Sequence, residues 1–341
     1  MVAGFIRIKP SQLNLSLTLK SGQSFRWKQC HGNENRFVGI LKNIFVIELI
    51  QSDTEIAYRL LNSDHCFLSS QNLSKKSTSD LIRRILEDYF RLDVDLDALF
   101  RSWSKNDTNF RSISTKFKGV RLLRQDFIEN CFSFICSSNN NISRITQMIE
   151  KLCRKFGSKL YEFADDEKSI NKSEDIYSFP SIETLAEENV EQQLRDMGFG
   201  YRAKFINQTA CSIKNLLNDR NQKDSDWIKH LRSLSYRDAR KELMSLPGIG
   251  GKVADCICLM SLDFTESIPI DTHVFQLTMK HYIPDLGSKQ KSMTPKLYDE
   301  IGDFYRNKFQ LHAGWAQTVL FCSDLKINKS RRKIKRSHQQ E

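Results

Sequence analysis

A short turn rich in glycine and proline, Leu246-Pro-Gly-Ile-Gly-Gly-Lys252, lies between two stretches whose apolar spacing predicts helices at 236–245 and 252–262. Its glycines tolerate positive φ angles and let another molecule approach the backbone closely. Because N–H groups at the start of a helix attract anions, we predict that Gly248 and Gly250 bind an anion, and the expected anion is a DNA phosphate. The turn therefore predicts a helical hairpin in this region that binds a nucleic acid backbone.

The same turn carries a candidate nucleophile. Lys252 opens the second helix, where the positive end of the helix dipole disfavours an ammonium and makes the neutral amine easier to reach. Asp271 follows 19 residues later, which accommodates one helix, a short loop and the N-cap of the next helix. Alone, the lysine would be a solvated side chain and the aspartate an ordinary cap. Their coincidence with the turn predicts that both are catalytic.

This arrangement resembles the helix-hairpin-helix motif, with a Gly/Pro-rich loop and a trailing aspartate, of a superfamily of base-excision DNA glycosylases. Within that superfamily the chain resembles the 8-oxoguanine DNA glycosylase/AP lyase family, over roughly residues 4 to 325. Several separate blocks carry the resemblance in the family's order: Ser21-Gly-Gln-Ser-Phe-Arg-Trp27, Phe117-Lys-Gly-Val-Arg-Leu-Leu-Arg-Gln-Asp126, Phe132-Ser-Phe-Ile-Cys-Ser-Ser-Asn-Asn-Asn141, Gly198-Phe-Gly-Tyr-Arg202 and Gly314-Trp-Ala-Gln-Thr-Val-Leu-Phe321.

The pattern of apolar residues changes along the chain from strands to helices. We predict strands at Ser24–Lys28, Arg36–Leu41, Ile44–Leu49 and Glu55–Leu60. From Ser79 onward almost every segment reads as helix, except for two polar stretches, Asp165–Asp175 and Asn218–Asp226, that predict solvated loops. The fold class is therefore α+β, and the resemblance implies a two-lobed helical body with the hairpin at the mouth of a cleft. We place an N-terminal sheet domain at 1–110, the helical glycosylase domain at 111–325 and a disordered basic tail at 326–341.

Charge and cysteine content suggest a partner and a compartment. The residues from Lys326 onward carry +6 of the net charge of +11, so the remaining +5 leaves the folded body only mildly basic. Its affinity for DNA must then come from a local face. The run Lys329–Arg336 predicts a nuclear localisation signal or an electrostatic tether to DNA. A tail that only increases solubility is the alternative, and a mitochondrial pool of the protein is left open. Nine scattered cysteines suit a reducing compartment, and we expect a monomer with no secretory or membrane segment.

The resemblance implies residues that handle the flipped nucleotide and its partner. Asn139 would fill the vacated space, in a loop that leads into a helix capped near Ser143. Arg144 and Arg202 would hydrogen-bond the estranged cytosine. Tyr201 would form a wedge beside that cytosine, and His273 would contact a phosphate. Considered without the family, the asparagines 139–141 form a polar turn and the histidine is a core residue.

The base pocket implied by the resemblance contains Gly22, Cys256, Gln317 and Phe321. 8-Oxoguanine has an N7–H donor where guanine has a lone pair, so the carbonyl of Gly22 would accept from the lesion and repel guanine. Gln317 would bond the Watson-Crick edge, while Phe321 and Cys256 would lie against opposite faces of the base. From the residues alone, Gly22 would belong to an ordinary hairpin turn, and Phe321 and Cys256 would be core residues.

We expect Lys252 to attack C1′ and form a Schiff base, and Asp271 to stabilise the cationic sugar. Cys322 is the only cysteine after Asp271, so the sequence excludes an iron–sulfur glycosylase. We expect no cofactor, although a structural cation at the hairpin stays open. Lys252 also argues against an alkylated-base glycosylase that activates water. The remaining alternative is a catalytically inactive helix-hairpin-helix DNA-binding protein.

Overall fold

The computed structural model describes residues 2–30, 32–62, 74–163, 175–284 and 293–337, with side chains as far as residue 325 in the last helix. Its larger sheet is antiparallel, with five strands in the order β1-β5-β4-β3-β2. A small two-stranded sheet, β6-β7, lies farther along the chain. The strands are β1 Val2–Arg7, β2 Lys28–Gln29, β3 Arg36–Leu41, β4 Phe45–Gln51, β5 Glu55–Leu60, β6 Lys159–Tyr161 and β7 Ile176–Tyr177.

Helices make up most of the remaining chain, which confirms the predicted α+β class. They are α1 Leu15–Leu19, α2 Lys75–Tyr89, α3 Leu96–Asn106, α4 Thr108–Ser114, α5 Phe127–Ile135, α6 Ile142–Phe156, α7 Ile182–Leu185, α8 Val190–Asp196, α9 Arg202–Asp219, α10 Asp224–Ser233, α11 Tyr236–Met244, α12 Gly251–Ser261, α13 Thr272–His281, α14 Pro295–Phe309 and α15 Ala313–Ser337. Among the described residues, no helix is both long and apolar enough to cross a membrane.

The strand predicted at Ser24–Lys28 is wrong apart from its last residue. Phe25 packs into the core of the helical body, whereas Trp27 packs into the core of the sheet. The intervening Arg26 reaches the Sγ atom of Cys153 at 3.0 Å. The segment therefore joins two cores and does not pair along a ladder until Lys28.

Two predictions about irregular segments also need correction. Helix α15 continues as far as Ser337, so the backbone is helical over 326–337 of the predicted disordered tail, and 338–341 lie outside the described residues. Lysine and arginine are good helix formers, and their charge alone does not unfold a helix that is already nucleated. The loop predicted at Asn218–Asp226 is reduced to 220–223, because Trp227 is fully buried and anchors α10. The other predicted loop, Asp165–Asp175, lies outside the described residues except for its last residue.

The sheet and the helical body are joined by buried hydrogen bonds beside the segment that contains Gly22. The side-chain amide of Gln23 donates to the carbonyl of Arg121 at 2.9 Å and accepts from the N–H of Leu123 at 3.0 Å. The amide of Gln125 donates to the carbonyl of Gln23 at 2.9 Å. Because buried polar groups are costly to leave unpaired, these bonds fix the position of the 21–23 segment.

Candidate active site

The predicted hairpin is formed by α11, the turn 245–250 and α12. Only Gly248 has a positive φ, +77°, and a Cβ there would lie 2.5 Å from the Cβ of Phe205. Gly250 has a φ of −86° and caps α12 without a side-chain hydrogen bond, and Gly251 is the first helical residue. Of the three glycines that could tolerate a positive φ, Gly248 alone adopts one. Gly250 instead leaves the start of α12 open to the cleft, as an anion site requires.

Lys252 is the second residue of α12 and not the first, because the helix begins at Gly251, one residue earlier than we predicted. Its amine donates to the hydroxyl oxygen of Ser137 at 2.8 Å and lies 4.7 Å from the ring centroid of Phe134. Ser137 uses its own proton in a 2.7 Å bond to the carbonyl of Phe134, so it acts as the acceptor for the lysine. The sequence analysis missed Ser137 because it singled out only the asparagines that follow it in the same block.

Asp271 caps α13, as we predicted. One carboxylate oxygen accepts from the N–H of Val274 at 2.9 Å. Since a cap holds the side chain against its own helix, the carboxylate has a fixed place at the start of α13.

A cavity of about 80 Å³ brings together the whole predicted base pocket. Gly22, Cys256, Gln317 and Phe321 line it, and so do Lys252 and Asp271. Gly22 has a φ of +82°, so its segment adopts the backbone shape that favours glycine. Burial raises the pKa of the Cys256 thiol to about 12, although nearby Lys252 opposes the shift, so Cys256 is a neutral side chain at physiological pH.

An open cleft of about 910 Å³ adjoins this pocket. Its lining includes three predicted DNA-binding residues, Asn139, Gly250 and His273. Of the described residues, Lys252 and Asp271 alone line both the cleft and the pocket. The two predicted catalytic residues therefore lie at the junction of the two spaces.

The loop between α5 and α6 presents Asn139 to the cleft. Asn139 is exposed with a φ of +47°, and its side chain makes no hydrogen bond to any described residue. Its neighbours have structural roles: Asn140 donates to the carbonyl of Cys136 at 3.0 Å, and Asn141 accepts from the N–H of Arg144 at 3.0 Å. The cap of α6 is thus Asn141 and not Ser143, because the side chain of Asn141 satisfies an open N–H of the first turn.

Arg202 lies under this loop and is only 4% exposed. Its guanidinium donates to the carbonyls of Ser138, at 3.1 Å from Nε, and Asn139, at 3.0 Å. It also lies 4.6 Å from the ring centroid of Tyr201, whose hydroxyl donates to Ser138 at 3.0 Å. Tyr201 is 48% exposed, as a wedge must be, and Arg144 is exposed at the start of α6.

His273 is in the first turn of α13, with its Nδ1 3.8 Å from a carboxylate oxygen of Asp324 and its ring against Phe321. That nitrogen is buried and makes no hydrogen bond to another described residue. Within the described ranges, no group of three or more His, Cys, Asp and Glu side chains is arranged to hold a metal ion.

Comparison with known proteins covers almost the whole chain. Residues 5–131 match the family model for the N-terminal domain of 8-oxoguanine DNA glycosylases, and residues 132–302 match that of the HhH-GPD superfamily of base excision DNA repair proteins. The chain is 33% identical to the N-glycosylase/DNA lyase OGG1 of Arabidopsis thaliana, over 95% of this chain and 81% of that protein. It is also 33% identical to the N-glycosylase/DNA lyase of Saccharomyces cerevisiae, over 94% of this chain and 86% of that protein.

Among solved structures, the fold is similar to that of the Clostridium acetobutylicum 8-oxoguanine glycosylase/lyase in complex with double-stranded DNA containing cytosine opposite 8-oxoguanine. The TM-score is 0.73 at 26% sequence identity, with 93% of each chain covered.

Proposed function

The chain belongs to the 8-oxoguanine DNA glycosylase/AP lyase family, and on that premise we propose which of its residues excise the base and nick the strand. It is a bifunctional N-glycosylase/DNA lyase. The observation that carries the assignment is the shared position of Lys252 and Asp271 between the pocket and the cleft. The flipped base occupies the pocket, the DNA backbone follows the cleft, and the sugar lies between them.

The neutral amine of Lys252 attacks C1′ while the glycosidic bond breaks and the base takes the bonding electrons. Asp271 stabilises the cationic sugar electrostatically and assists the proton transfers. Loss of the ring oxygen bond gives a Schiff base, which acidifies the protons on C2′. Removal of one such proton expels the 3′ phosphate by β-elimination. The Ser137 hydroxyl orients the amine before the substrate enters, because it accepts a hydrogen bond from Lys252.

The proposal includes recognition of the lesion and of the base opposite. The carbonyl of Gly22 accepts N7–H, and Gln317 bonds the Watson-Crick edge of 8-oxoguanine. Asn139 fills the gap in the duplex. Arg202 and Arg144 bind the estranged cytosine, for which Arg202 must leave the carbonyls that it holds in the free protein.

We also propose that one chain suffices, since every residue assigned above lies in this chain, and that the reaction uses no cofactor. The amine of Lys252 is the nucleophile, and the carboxylate of Asp271 supplies the negative charge that stabilises the sugar cation. Excision should therefore continue in the presence of a chelator. A cation at the hairpin would support phosphate binding without entering a covalent step. The basic run Lys329–Arg336 supports a nuclear location.

Lys252→Gln tests the chemistry, because glutamine is neutral and of similar length. We expect the variant to keep the melting temperature and to bind duplex DNA containing 8-oxoguanine opposite cytosine. It should give neither strand scission nor a borohydride-trapped complex, whereas the parent protein gives both. Trapping or scission by the variant would show that another residue is the nucleophile.

A further inference from the structure

The hairpin contains a buried carboxylate that none of the steps above uses. Asp255 in α12 is completely buried. It accepts hydrogen bonds from the hydroxyls of Tyr236 and Tyr298, each at 2.6 Å, and it lies 3.2 Å from the guanidinium of Arg240. Burial raises the pKa of Asp255, and Arg240 and the hydroxyl donors oppose this shift. Since a buried charge needs good partners to be tolerated, the arrangement must be held accurately.

One of these partners connects the two catalytic segments. The hydroxyl of Tyr298 donates to Asp255 and accepts from the backbone N–H of Ile270 at 3.1 Å. Asp255 lies three residues after Lys252 on the same helix, and Ile270 immediately precedes Asp271. The Tyr298 oxygen therefore links the helix that carries the nucleophile to the residue just before Asp271. The Ser267 hydroxyl, which donates to Asp255 at 3.0 Å, forms a second link three residues earlier than Ile270.

The ring of Tyr298 is held as well as its hydroxyl. The guanidinium of Arg240 lies 5.2 Å from the ring centroid, and both residues line the cleft. A Cβ at Gly251 would lie 2.7 Å from a terminal nitrogen of Arg240 and 3.7 Å from Cζ of Tyr298. The absence of a side chain at Gly251, next to Lys252, thus makes room for the guanidinium of Arg240.

We propose that Tyr298 is a positioning residue that fixes Asp271 relative to Lys252. This inference rests on the proposed roles of those two residues. Tyr298 does not act on the substrate itself, because its hydroxyl is engaged with Asp255 and Ile270. Without the hydroxyl, the segment loses the link to α12 that is nearest to Asp271, and the remaining link, from Ser267 to Asp255, lies four residues before Asp271. A displacement of about 1 Å at a reacting group can cost on the order of 100-fold in rate, so the chemical step is the sensitive quantity.

The test compares Tyr298→Phe with Tyr236→Phe. Each change removes one hydroxyl from the same carboxylate, but the Tyr236 hydroxyl makes no hydrogen bond to 268–271 among the described residues. On a duplex with 8-oxoguanine opposite cytosine, we expect Tyr298→Phe to slow single-turnover excision at least tenfold more than Tyr236→Phe does. The Kd for the duplex should stay within threefold of the parent value, and both variants should keep a cooperative melting transition. Equal rates for the two variants, a loss confined to Kd, or unfolding of Tyr298→Phe alone would overturn the proposal.

A second measurement separates positioning from general support. In the Asp271→Asn background, Tyr298→Phe should cause less than a threefold further loss of rate, because the group that it positions is already impaired. The full tenfold loss in that background would mean that Tyr298 acts independently of Asp271 and would overturn the proposal. Borohydride trapping of the parent protein on the same duplex tests the proposed function separately. If the parent is trapped and Tyr298→Phe excises at the parent rate, only the positioning role fails.

Discussion

Gly22 combines two constraints at one position of the pocket wall. Its φ of +82° disfavours every residue that carries a Cβ. A Cβ built there would lie 3.0 Å from the terminal carbon of Ile142, the first residue of α6. Both constraints act in the wall of the proposed base pocket, while Lys252 and Asp271 are held by other elements. On the proposed roles, we therefore expect a single substitution to separate lesion recognition from sugar chemistry.

We expect Gly22→Ala to slow excision of 8-oxoguanine by at least tenfold and to leave cleavage at a preformed abasic site within threefold of the parent rate. The added methyl strains the turn and displaces its carbonyl, whereas an abasic sugar needs no base pocket. Parallel single-turnover assays on the two substrates provide the measurement. Equal losses on both would identify Gly22 as a folding residue, and no loss on either would mean that the pocket lies elsewhere.

How far sequence predicts a site also depends on single residues. The pocket residues were predicted because a family pattern marks them, and the structure places them around one cavity. Ser137 and Tyr298 were not predicted, because their partners lie 115 and 43 residues away in the chain. Such contacts leave no local pattern. Only the folded backbone brings these hydroxyls to the amine of Lys252 and the carboxylate of Asp255.

At the scale of elements, α5 carries an ionisable group into a buried position. Burial raises the pKa of Glu129 to about 7, although Arg26 at 3.7 Å opposes the shift. The pKa is higher in the folded chain than in the unfolded one, so folding favours the protonated carboxyl. Its contribution to stability is complete below the ordinary carboxyl pKa and is lost as the pH rises through about 7.

Glu129→Gln should therefore stabilise the protein at high pH only. We expect the free energy of unfolding of the variant, relative to the parent, to increase between pH 5 and pH 8, because the amide carries no charge to bury. Denaturant titrations across this range measure the difference. A difference that does not change with pH would contradict the raised pKa of Glu129.

The elements themselves were predicted unevenly. Strands β3 and β5 have the predicted bounds, because alternating apolar residues between polar turns define them locally. Strand β1 was missed, although it pairs with β5 along its whole length, because its single polar residue gives no clear alternation. Helix α10 was hidden by its charged first turn, and only the burial of Trp227 shows that this turn belongs to a packed helix. Tertiary packing decided both cases.

At the scale of the whole molecule, α15 joins the pocket to the most basic part of the chain. The helix carries Gln317 and Phe321 in its first half, and its sequence continues into the run Lys329–Arg336. The tail holds +6 of the net charge of +11. Non-specific attraction to DNA should therefore reside largely in the tail, and the chemistry in the body.

Replacing the six basic residues of 329–336 by glutamine should weaken binding to undamaged duplex. Each DNA phosphate that the tail no longer neutralises should flatten the slope of log K against log salt by about 0.9. Single-turnover excision at saturating protein should stay within twofold of the parent rate, because no assigned site residue changes. An unaltered salt slope would show that the tail does not touch DNA, and a large loss of excision would show that it supports the pocket.

The hydrogen bonds that Arg202 and Tyr201 donate to carbonyls of the 137–141 loop affect how quickly the protein can search DNA for a lesion. Arg202 and Tyr201 already hold the backbone of Ser138 and Asn139 in the free protein, with Asn139 in its left-handed conformation. Ordering a residue costs roughly 1–2 kcal/mol of conformational entropy, and here that cost falls on folding and not on each encounter. A protein that inspects DNA one base pair at a time must repeat any ordering step at every base pair that it inspects. With the loop set in advance, we expect no ordering step of this loop at an intact pair, and we expect Arg202 to leave the carbonyls of Ser138 and Asn139 only where a cytosine is estranged.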